Sequence, residues 1–279
     1  MRWLLVSWAA ISVLSAEKVA FDRLTDVVLD RRLEAVQKLN PDRKIAMQEM
    51  FTEAGCSGES FTERRVKGSK LPNLVCILPG SSEEILLVGA HYDKVKDGEG
   101  AIDNWTGASL LASLYQSHKA YPHRHTIWFV AFTDEEAGLV GSKAFVKQMP
   151  REELTRLKAF VNIDSVGAGS LKVWGKRAHR PFTNLAAVVA KSLQIEISVM
   201  DVDAVGDSDS HPFVDKKVPV IDFHSLDQKS WRLLHTDKDV LSAVDRERYR
   251  ETYRFLAVFV GILDQRMEKL AGGGLGETL

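Results

Sequence analysis

Histidine and acidic side chains that could bind metal ions recur along the chain, each close to the end of a predicted strand or helix. They are His91, Asp93, Asp103, Glu135, Glu136, Asp164 and His235. Imidazole nitrogens and carboxylate oxygens are ligands that suit zinc, with cobalt and manganese as lesser options. The set of residue types therefore indicates a metal centre, and because the chain has no C-x-x-C motif the cysteines do not form a thiolate zinc site.

The local spacing of these residues adds a mechanical argument. In His91-x-Asp93 the intervening residue lets the carboxylate reach the second ring nitrogen of the histidine, which would fix its tautomer and raise its basicity. In the adjacent pair Glu135-Glu136 the side chains diverge, so one can bind metal while the other holds water as a general base. Each motif alone is common in proteins, and their joint order along the chain is what predicts a site.

Alternating strands and helices are needed to bring these residues together. Apolar runs predict strands at residues 74–78, 85–90, 126–132, 159–163 and 218–223, and helical patterns cover 20–55 with a break at Asn40-Pro41-Asp42. Further helices are predicted at 105–117, 141–149, 182–193 and 245–267. This order predicts an α/β fold with a mostly parallel, mixed central sheet and helices on both faces. His91, Glu136, Asp164 and His235 would then follow the carboxyl ends of four strands, where such sheets bind ligands.

Composition and the two ends of the chain indicate which partners and which compartment to expect. Lys plus Arg number 37 and Asp plus Glu 38, so no basic excess indicates nucleic acid or an anionic membrane. Residues 1–16 have the pattern of a secretory signal peptide, with an uncleaved anchor as the alternative, which predicts a secreted or periplasmic protein. Residues 17–268 form the expected domain and 269–279 a flexible tail. Cys56 and Cys76 would form one disulfide in an exported chain, or remain two buried thiols.

Six ordered segments resemble the M28 family of metallopeptidases, the aminopeptidase type with a co-catalytic zinc pair. They are VGAHYD, GEGAIDNWTGAS, FTDEEAGLVGS, VNIDSVG, SDSHPF and LLHTDKD, between residues 73 and 264. The resemblance implies two zinc ions per chain, an aminopeptidase activity that uses a zinc-activated water, and a peptide as the substrate. No nucleic acid and no membrane beyond a signal anchor are expected as partners, and we expect a monomer.

The resemblance also implies a role for each matching residue. His91 and Asp164 match the ligands of one zinc ion, Glu136 and His235 those of the other, and Asp103 the carboxylate that bridges both. The two remaining residues bind no metal: Asp93 matches the partner that orients His91, and Glu135 the general base.

Three competing classes are weighed against this interpretation. Glutaminyl cyclases share the fold and much of the motif set, but they carry a tryptophan before the last histidine and an insertion after the Glu-Glu pair. Here Leu234 precedes His235, and residues 137–142 continue without an insertion. M20-type carboxypeptidases carry a lid domain for which the segment 165–234 leaves no room. A non-catalytic binding ectodomain would be expected to lose ligands that this chain keeps.

The sequence leaves the roles of several further residues open. Leu234 replaces a tyrosine that some relatives use to stabilise the oxyanion. His211 could face the cleft or serve as a surface or capping residue, and His224 could line the substrate pocket. His118, His123 and His125 surround Pro122 and are expected at the surface. The aspartates of segment 201–209 resemble a calcium loop only superficially, because the glycine and glutamate spacing of an EF-hand is missing.

Overall fold

A single mixed β-sheet forms the centre of the molecule. The computed structural model describes residues 19–204 and 206–272, and within them eight strands pair in the order β1-β2-β4-β3-β5-β8-β6-β7. The strands are β1 Phe61–Arg64, β2 Asn73–Leu78, β3 Ser82–His91, β4 His125–Phe132, β5 Leu157–Ile163, β6 Leu171–Val173, β7 Ile197–Val199 and β8 Val220–His224.

Four adjacent strands give the sheet its polarity. β4, β3, β5 and β8 are neighbours and run parallel, so their carboxyl ends lie along one edge. The outer strands are mixed, since β1 and β2 join antiparallel and β6 pairs antiparallel with β8. The predicted fold class, a mixed and mainly parallel α/β sheet, is confirmed.

Helices cover both faces of the sheet because the strand side chains alternate between two apolar clusters. Leu86 and Val88 point into the larger cluster, and Ile85 and Leu87 into the smaller one. The helices are α1 Asp26–Glu34, α2 Asn40–Glu53, α3 Thr106–His118, α4 Val140–Gln148, α5 Arg151–Arg156, α6 Arg180–Leu193, α7 His211–Val214 and α8 Arg246–Ala271. α1, α2, α3, α6 and α8 contribute to the larger cluster, and α4 and α7 to the smaller one.

The predicted elements differ from the observed ones at the edges and termini. β1, β6 and β7 are three or four residues long, too short to show periodicity, and two of them are partly exposed. Asn40 and Pro41 begin α2 rather than only interrupting a helix, because a proline in the first turn needs no hydrogen-bond acceptor for its nitrogen. α8 continues to Ala271, past the predicted end at residue 267 and into the segment predicted as tail.

Both chain ends carry predictions that lie outside the described residues. The predicted signal peptide occupies residues 1–16, and most of the predicted tail lies beyond residue 272. Among the residues described, the structure contains no helix with the length and hydrophobicity needed to cross a bilayer.

The prediction that His118, His123 and His125 are surface residues is wrong. Their exposed fractions are 1%, 9% and 0%, because α8 packs over this region and Asp264 receives hydrogen bonds from it. His125 lies at the first residue of β4, and His118 at the last residue of α3. The sequence alone shows a polar stretch beside a proline, and only the docking of α8 buries it.

The buried imidazole of His118 predicts a pH dependence of stability. Burial, and next the positive charge of His123, lower the pKa of His118 to about 4. In the unfolded chain its pKa is about 6.5, so between these values the unfolded state binds the extra proton. The free energy of unfolding should therefore be highest above about pH 6.5 and fall as the pH drops towards 4, by about 2–3 kcal/mol from this group.

Urea unfolding at pH 7.5 and 4.5 measures that contribution. His118→Gln should unfold with a smaller difference between the two pH values than the wild type. Val188→Ala serves as the control, because this residue of α6 is 41% exposed and carries no titratable group, so the difference should be unchanged. An equal pH dependence in His118→Gln and wild type would contradict the assignment.

A disulfide joins Cys56 and Cys76, which is one of the two possibilities left open by the sequence. It links the segment after α2 to β2, and both cysteines are buried. The bond closes a loop of sequence separation 20. In the chain-entropy description, such a loop restricts the unfolded state enough to stabilise the fold by about 3 kcal/mol.

Reduction is therefore expected to lower the free energy of unfolding by about 3 kcal/mol. Guanidinium unfolding of the oxidised protein and of the same sample under dithiothreitol gives the comparison. A Cys56→Ala/Cys76→Ala variant measured with and without reductant is the control, since it should not respond to dithiothreitol. A midpoint that does not shift on reduction of the wild type would contradict this expectation.

Candidate metal centre

The carboxyl ends of the four parallel strands carry the predicted site residues. His91 is the last residue of β3, Glu135 and Glu136 follow β4, and Asp164 directly follows β5. His235 lies farther along, after β8 and a short 3₁₀ turn at Ser230–Leu233. The sheet polarity therefore brings together residues that are far apart in sequence.

Five of the predicted site residues form two groups of side chains that share the carboxylate of Asp103. In the first group His91 Nε2 lies 3.2 Å from Asp103 Oδ1 and 3.6 Å from Asp164 Oδ1. In the second, His235 Nε2 lies 3.2 Å from Asp103 Oδ2 and 2.9 Å from Glu136 Oε2. Each group offers three converging ligand atoms, and Asp103 gives one oxygen to each. This arrangement can hold two cations with Asp103 between them.

The donor set fits zinc. Each group combines one imidazole nitrogen with two carboxylate oxygens, which is within the range of zinc ligands. Glu136 Oε1 is buried and has no hydrogen-bond partner among the residues described, so it is a polar atom that a nearby cation would stabilise. Three carboxylates this close also repel one another unless positive charge lies between them.

The pKa values express the same surplus of negative charge. Burial, together with the charges of Asp209 and Asp164, raises the pKa of Glu135 to about 10. Hydrogen bonds to Asp103 and Glu136 raise the pKa of His235 to about 10. Although burial alone would raise it, hydrogen bonds from both histidines hold the pKa of Asp103 below its ordinary value. The centre attracts protons, and cations that bind there would displace them.

Asp93 orients the acidic pair more directly than it orients His91. Its Oδ1 accepts a hydrogen bond of 3.0 Å from the Glu135 amide, and its Oδ2 one of 3.2 Å from the Glu136 amide. Its Oδ1 also lies 3.5 Å from His91 Nδ1, which is longer than a hydrogen bond. Asp134 just before the pair has a φ of 51°, a left-handed conformation that turns the chain after β4.

Asn104 and Asp239 hold the loop that carries Asp103, and neither was singled out from the sequence. Asp239 accepts hydrogen bonds from the amides of Ile102 at 2.7 Å and Asp103 at 3.1 Å. Asn104 donates to the Ile163 carbonyl at 2.9 Å and accepts from the Ser165 amide at 3.1 Å, which ties this loop to the end of β5. Both lie inside segments that carried the family resemblance, so their positions were visible although their roles were not.

Arg43 is a third residue whose role the sequence did not indicate. Its side chain is fully buried, lies 4.9 Å from the ring centroid of Trp105, and donates to the carbonyls of Tyr92, Glu99 and Gly100. Burial lowers its pKa to about 10, so it remains charged at neutral pH. A helical arginine has no sequence signal that distinguishes this role from a surface position.

A cavity of about 430 Å³ opens over the metal centre. Glu135, Glu136, Asp103, Asp164 and His235 lie on one side of it. Much of the remaining wall is apolar and is formed by Trp174, Val202, Phe223, Leu226, Trp231 and Leu234. Leu234 stands where some relatives have a tyrosine. It places an aliphatic side chain, with no hydrogen-bond donor, beside the centre.

His224 lines this cavity, in agreement with one of the two possibilities left open by the sequence. Its Nε2 donates to the Met200 carbonyl at 2.9 Å and its Nδ1 accepts from the Leu226 amide at 3.2 Å. A ring nitrogen that accepts carries no proton, so His224 is neutral here, and burial lowers its pKa to about 4. His211 does not line the cavity and pairs at 2.6 Å with Asp207 instead.

The acidic segment 201–209 does not converge on a single point in its described part. Asp203 pairs with Lys176 at 2.6 Å and Asp207 with Arg177 at 2.6 Å. Asp209 is 1% exposed, and burial raises its pKa to about 7. These separate partners agree with the expectation that the resemblance to a calcium loop is superficial.

The fold is that of an α/β protein with two groups of candidate metal ligands at one edge of its sheet, and comparison with known proteins defines the family. The profile of peptidase family M28 matches residues 73–260. The chain belongs to this family, which confirms the resemblance seen in its motifs.

Similar proteins include zinc aminopeptidases. An aminopeptidase of Bacillus subtilis, YwaD, is 27% identical over 201 residues, covering 68% of this chain and 42% of its own length. The structure of BSAP, a zinc aminopeptidase from Bacillus subtilis, matches with a TM-score of 0.64 at 25% identity, covering 72% of this chain and 52% of that one. The chain spans less than half the length of the curated relatives it matches first.

A glutaminyl cyclase has the same fold. The cyclase of an Acidobacteriales bacterium matches with a TM-score of 0.69, covering 86% of this chain and 94% of that one. Its identity to this chain is 16%, so the likeness concerns the fold alone.

Proposed function

We propose that the protein is a zinc-dependent aminopeptidase that removes N-terminal residues from peptides. The observation that carries the proposal is the pair of ligand groups joined by Asp103, beside Glu135 and at the base of a partly apolar cavity. Two zinc ions held by these groups would polarise the scissile carbonyl and acidify the attacking water. Membership of the M28 family supports the same activity.

The residues of the chain supply positioning and proton transfer. Glu135 takes the proton of the attacking water as the new C–O bond forms, and later gives it to the leaving amine as the C–N bond breaks. Asp93 holds the backbone of Glu135 and Glu136, so the base and its neighbouring ligand keep a fixed relation. Leu234 offers no hydrogen bond to the oxyanion, so bound zinc or another donor of the cavity wall would have to stabilise that charge.

The apolar wall of the cavity predicts a preference for apolar N-terminal side chains. A leucine or phenylalanine would bury against tryptophan, valine and leucine side chains, whereas a lysine would lose the hydration of its charge. We expect kcat/KM on leucine and phenylalanine anilides to exceed that on lysine anilide by about 10-fold or more.

A panel of aminoacyl anilides, assayed before and after chelation, tests both the activity and the preference. Activity should be lost on chelation and return with zinc. Equal kcat/KM for leucine and lysine would contradict the assignment of the apolar wall to the substrate side chain. Hydrolysis of none of the anilides, with ammonia released from N-terminal glutamine, would instead identify a glutaminyl cyclase.

We also propose that the protein is exported. The disulfide between Cys56 and Cys76 supports this, because such bonds persist mainly in oxidising compartments. The signal-peptide pattern of residues 1–16 supports it independently. N-terminal sequencing of protein recovered from the medium or periplasm should show that the first residues have been removed.

A further inference from the structure

A second group of possible metal ligands lies at the opposite edge of the sheet. His125 begins β4, Glu84 lies near the start of β3, and Glu268 lies in the last turns of α8. Because β3 and β4 are parallel, their amino ends are remote from the edge that carries the candidate metal centre. The proposed peptidase chemistry uses none of these three residues.

Within the described ranges, the buried imidazole of His125 has one ring nitrogen in a hydrogen bond and one without a hydrogen-bond partner. Its side chain is 0% exposed, and Nδ1 lies 2.7 Å from the Asp264 carbonyl oxygen, to which it donates. With the proton on Nδ1, the neutral ring presents a lone pair at Nε2. That nitrogen is buried and has no hydrogen-bond partner in the described part of the chain. A fixed Nδ1–H donated to a backbone carbonyl is the usual arrangement of a histidine that binds metal through Nε2.

Two carboxylates face this free nitrogen. Glu84 Oε2 and Glu268 Oε1 each lie 3.6 Å from His125 Nε2, and Glu84 Oε2 is itself buried without a partner in the described residues. A separation of 3.6 Å is too long for a direct hydrogen bond. Zinc bonds of about 2.0–2.1 Å in tetrahedral geometry place ligand atoms about 3.3–3.4 Å apart. Both distances from His125 Nε2 are therefore close to the spacing of ligands around an ion and longer than that of hydrogen-bond partners.

The remaining carboxylate oxygens are held by basic residues. Glu268 Oε2 accepts from Arg124 at 2.5 Å, and Glu84 Oε1 lies 3.7 Å from Lys158. These contacts orient both carboxylates with one oxygen directed at His125. Burial opposes a charge on this ring, but hydrogen bonds to Asp264 and the charge of Glu84 raise the pKa of His125. The position thus attracts positive charge.

We propose that His125, Glu84 and Glu268 form a divalent-cation site suited to zinc, separate from the candidate metal centre. Its three ligands come from β3, β4 and α8, so a bound ion would fasten the C-terminal helix to the amino ends of two central strands. Water would complete the coordination, because the side chain of Glu268 is 50% exposed. The role is structural, since none of the three residues lines the cavity over the candidate metal centre.

The zinc content of purified full-length variants tests the site. After loading with zinc and gel filtration, Glu84→Gln/Glu268→Gln should carry one zinc per chain fewer than the wild type by elemental analysis. Glu83→Gln is the matched control, because this neighbouring glutamate is 85% exposed and should leave the count unchanged. Anilide hydrolysis should be retained in all three proteins.

Thermal unfolding gives a second reading. Zinc added to chelator-treated Asp103→Asn, whose catalytic centre is impaired, should raise Tm, and this response should vanish when the double substitution is added. If the double variant fails to fold, Glu268→Gln alone can replace it, because this position is half-exposed, and it should weaken the response of Tm to zinc.

Equal zinc counts in the wild type and the double variant would overturn the proposal. So would a ¹⁵N spectrum showing a protonated His125 Nε2 in the zinc-loaded protein, because the group would then be an ion pair.

Discussion

Glu135→Gln is expected to lower kcat by about 10²–10⁴-fold while zinc remains bound. Glutamine has the shape of glutamate but cannot accept the proton of the attacking water. The backbone of residue 135 would still be held by Asp93 at 3.0 Å, so the neighbouring ligand Glu136 should keep its position. Steady-state kinetics on leucine anilide and the zinc content of the same sample give the two measurements.

Glu136→Gln is the matched comparison, because it changes the adjacent residue in the same way. Glu136 Oε2 lies 2.9 Å from His235 Nε2 within one ligand group, so this substitution should lower zinc content as well as activity. We expect Glu135→Gln to lose activity but keep its zinc, and Glu136→Gln to lose both. That difference would distinguish the general base from the metal ligand. Activity of Glu135→Gln within tenfold of the wild type would refute the proposed mechanism.

Asp103→Asn is expected to weaken zinc binding in both ligand groups at once. Asp103 lies 3.2 Å from His91 Nε2 through one oxygen and 3.2 Å from His235 Nε2 through the other. An amide offers one oxygen and no negative charge, so one group loses a ligand atom and the other keeps a neutral ligand in place of a charged one. Substitutions of residues that only orient metal ligands cost about 10–100-fold in affinity, and loss of this shared ligand should exceed about 100-fold.

Titration of chelator-treated protein with zinc measures that loss, and Asp164→Asn provides the comparison. Asp164 belongs to the His91 group alone, so its variant should keep binding at the other group. Far-ultraviolet circular dichroism of the zinc-free proteins checks that both variants are folded. If Asp103→Asn and Asp164→Asn lost the same number of zinc ions, Asp103 would not be the shared carboxylate.

The fold and the ligand positions were predictable because both depend on strong local patterns. Strands β3, β4, β5 and β8 are long or nearly continuous apolar runs, and the polar residues that follow them mark their carboxyl ends. Since parallel strands end at one edge, the order of motifs is enough to predict that the ligands meet. The short edge strands had no such pattern and were missed.

The sequence by itself determined the family, the class of sheet and the residues able to bind metal. Each of these depends on short contiguous motifs of polar residues or on apolar runs. Tertiary structure alone decided how Asp103 faces two histidines, because that depends on the hydrogen bonds of Asp239 and Asn104 across distant loops. It also decided that His125 is buried beneath α8, with one ring nitrogen that has no hydrogen-bond partner among the described residues. Burial and pairing arise from contacts between elements far apart in the chain, and no local pattern encodes them.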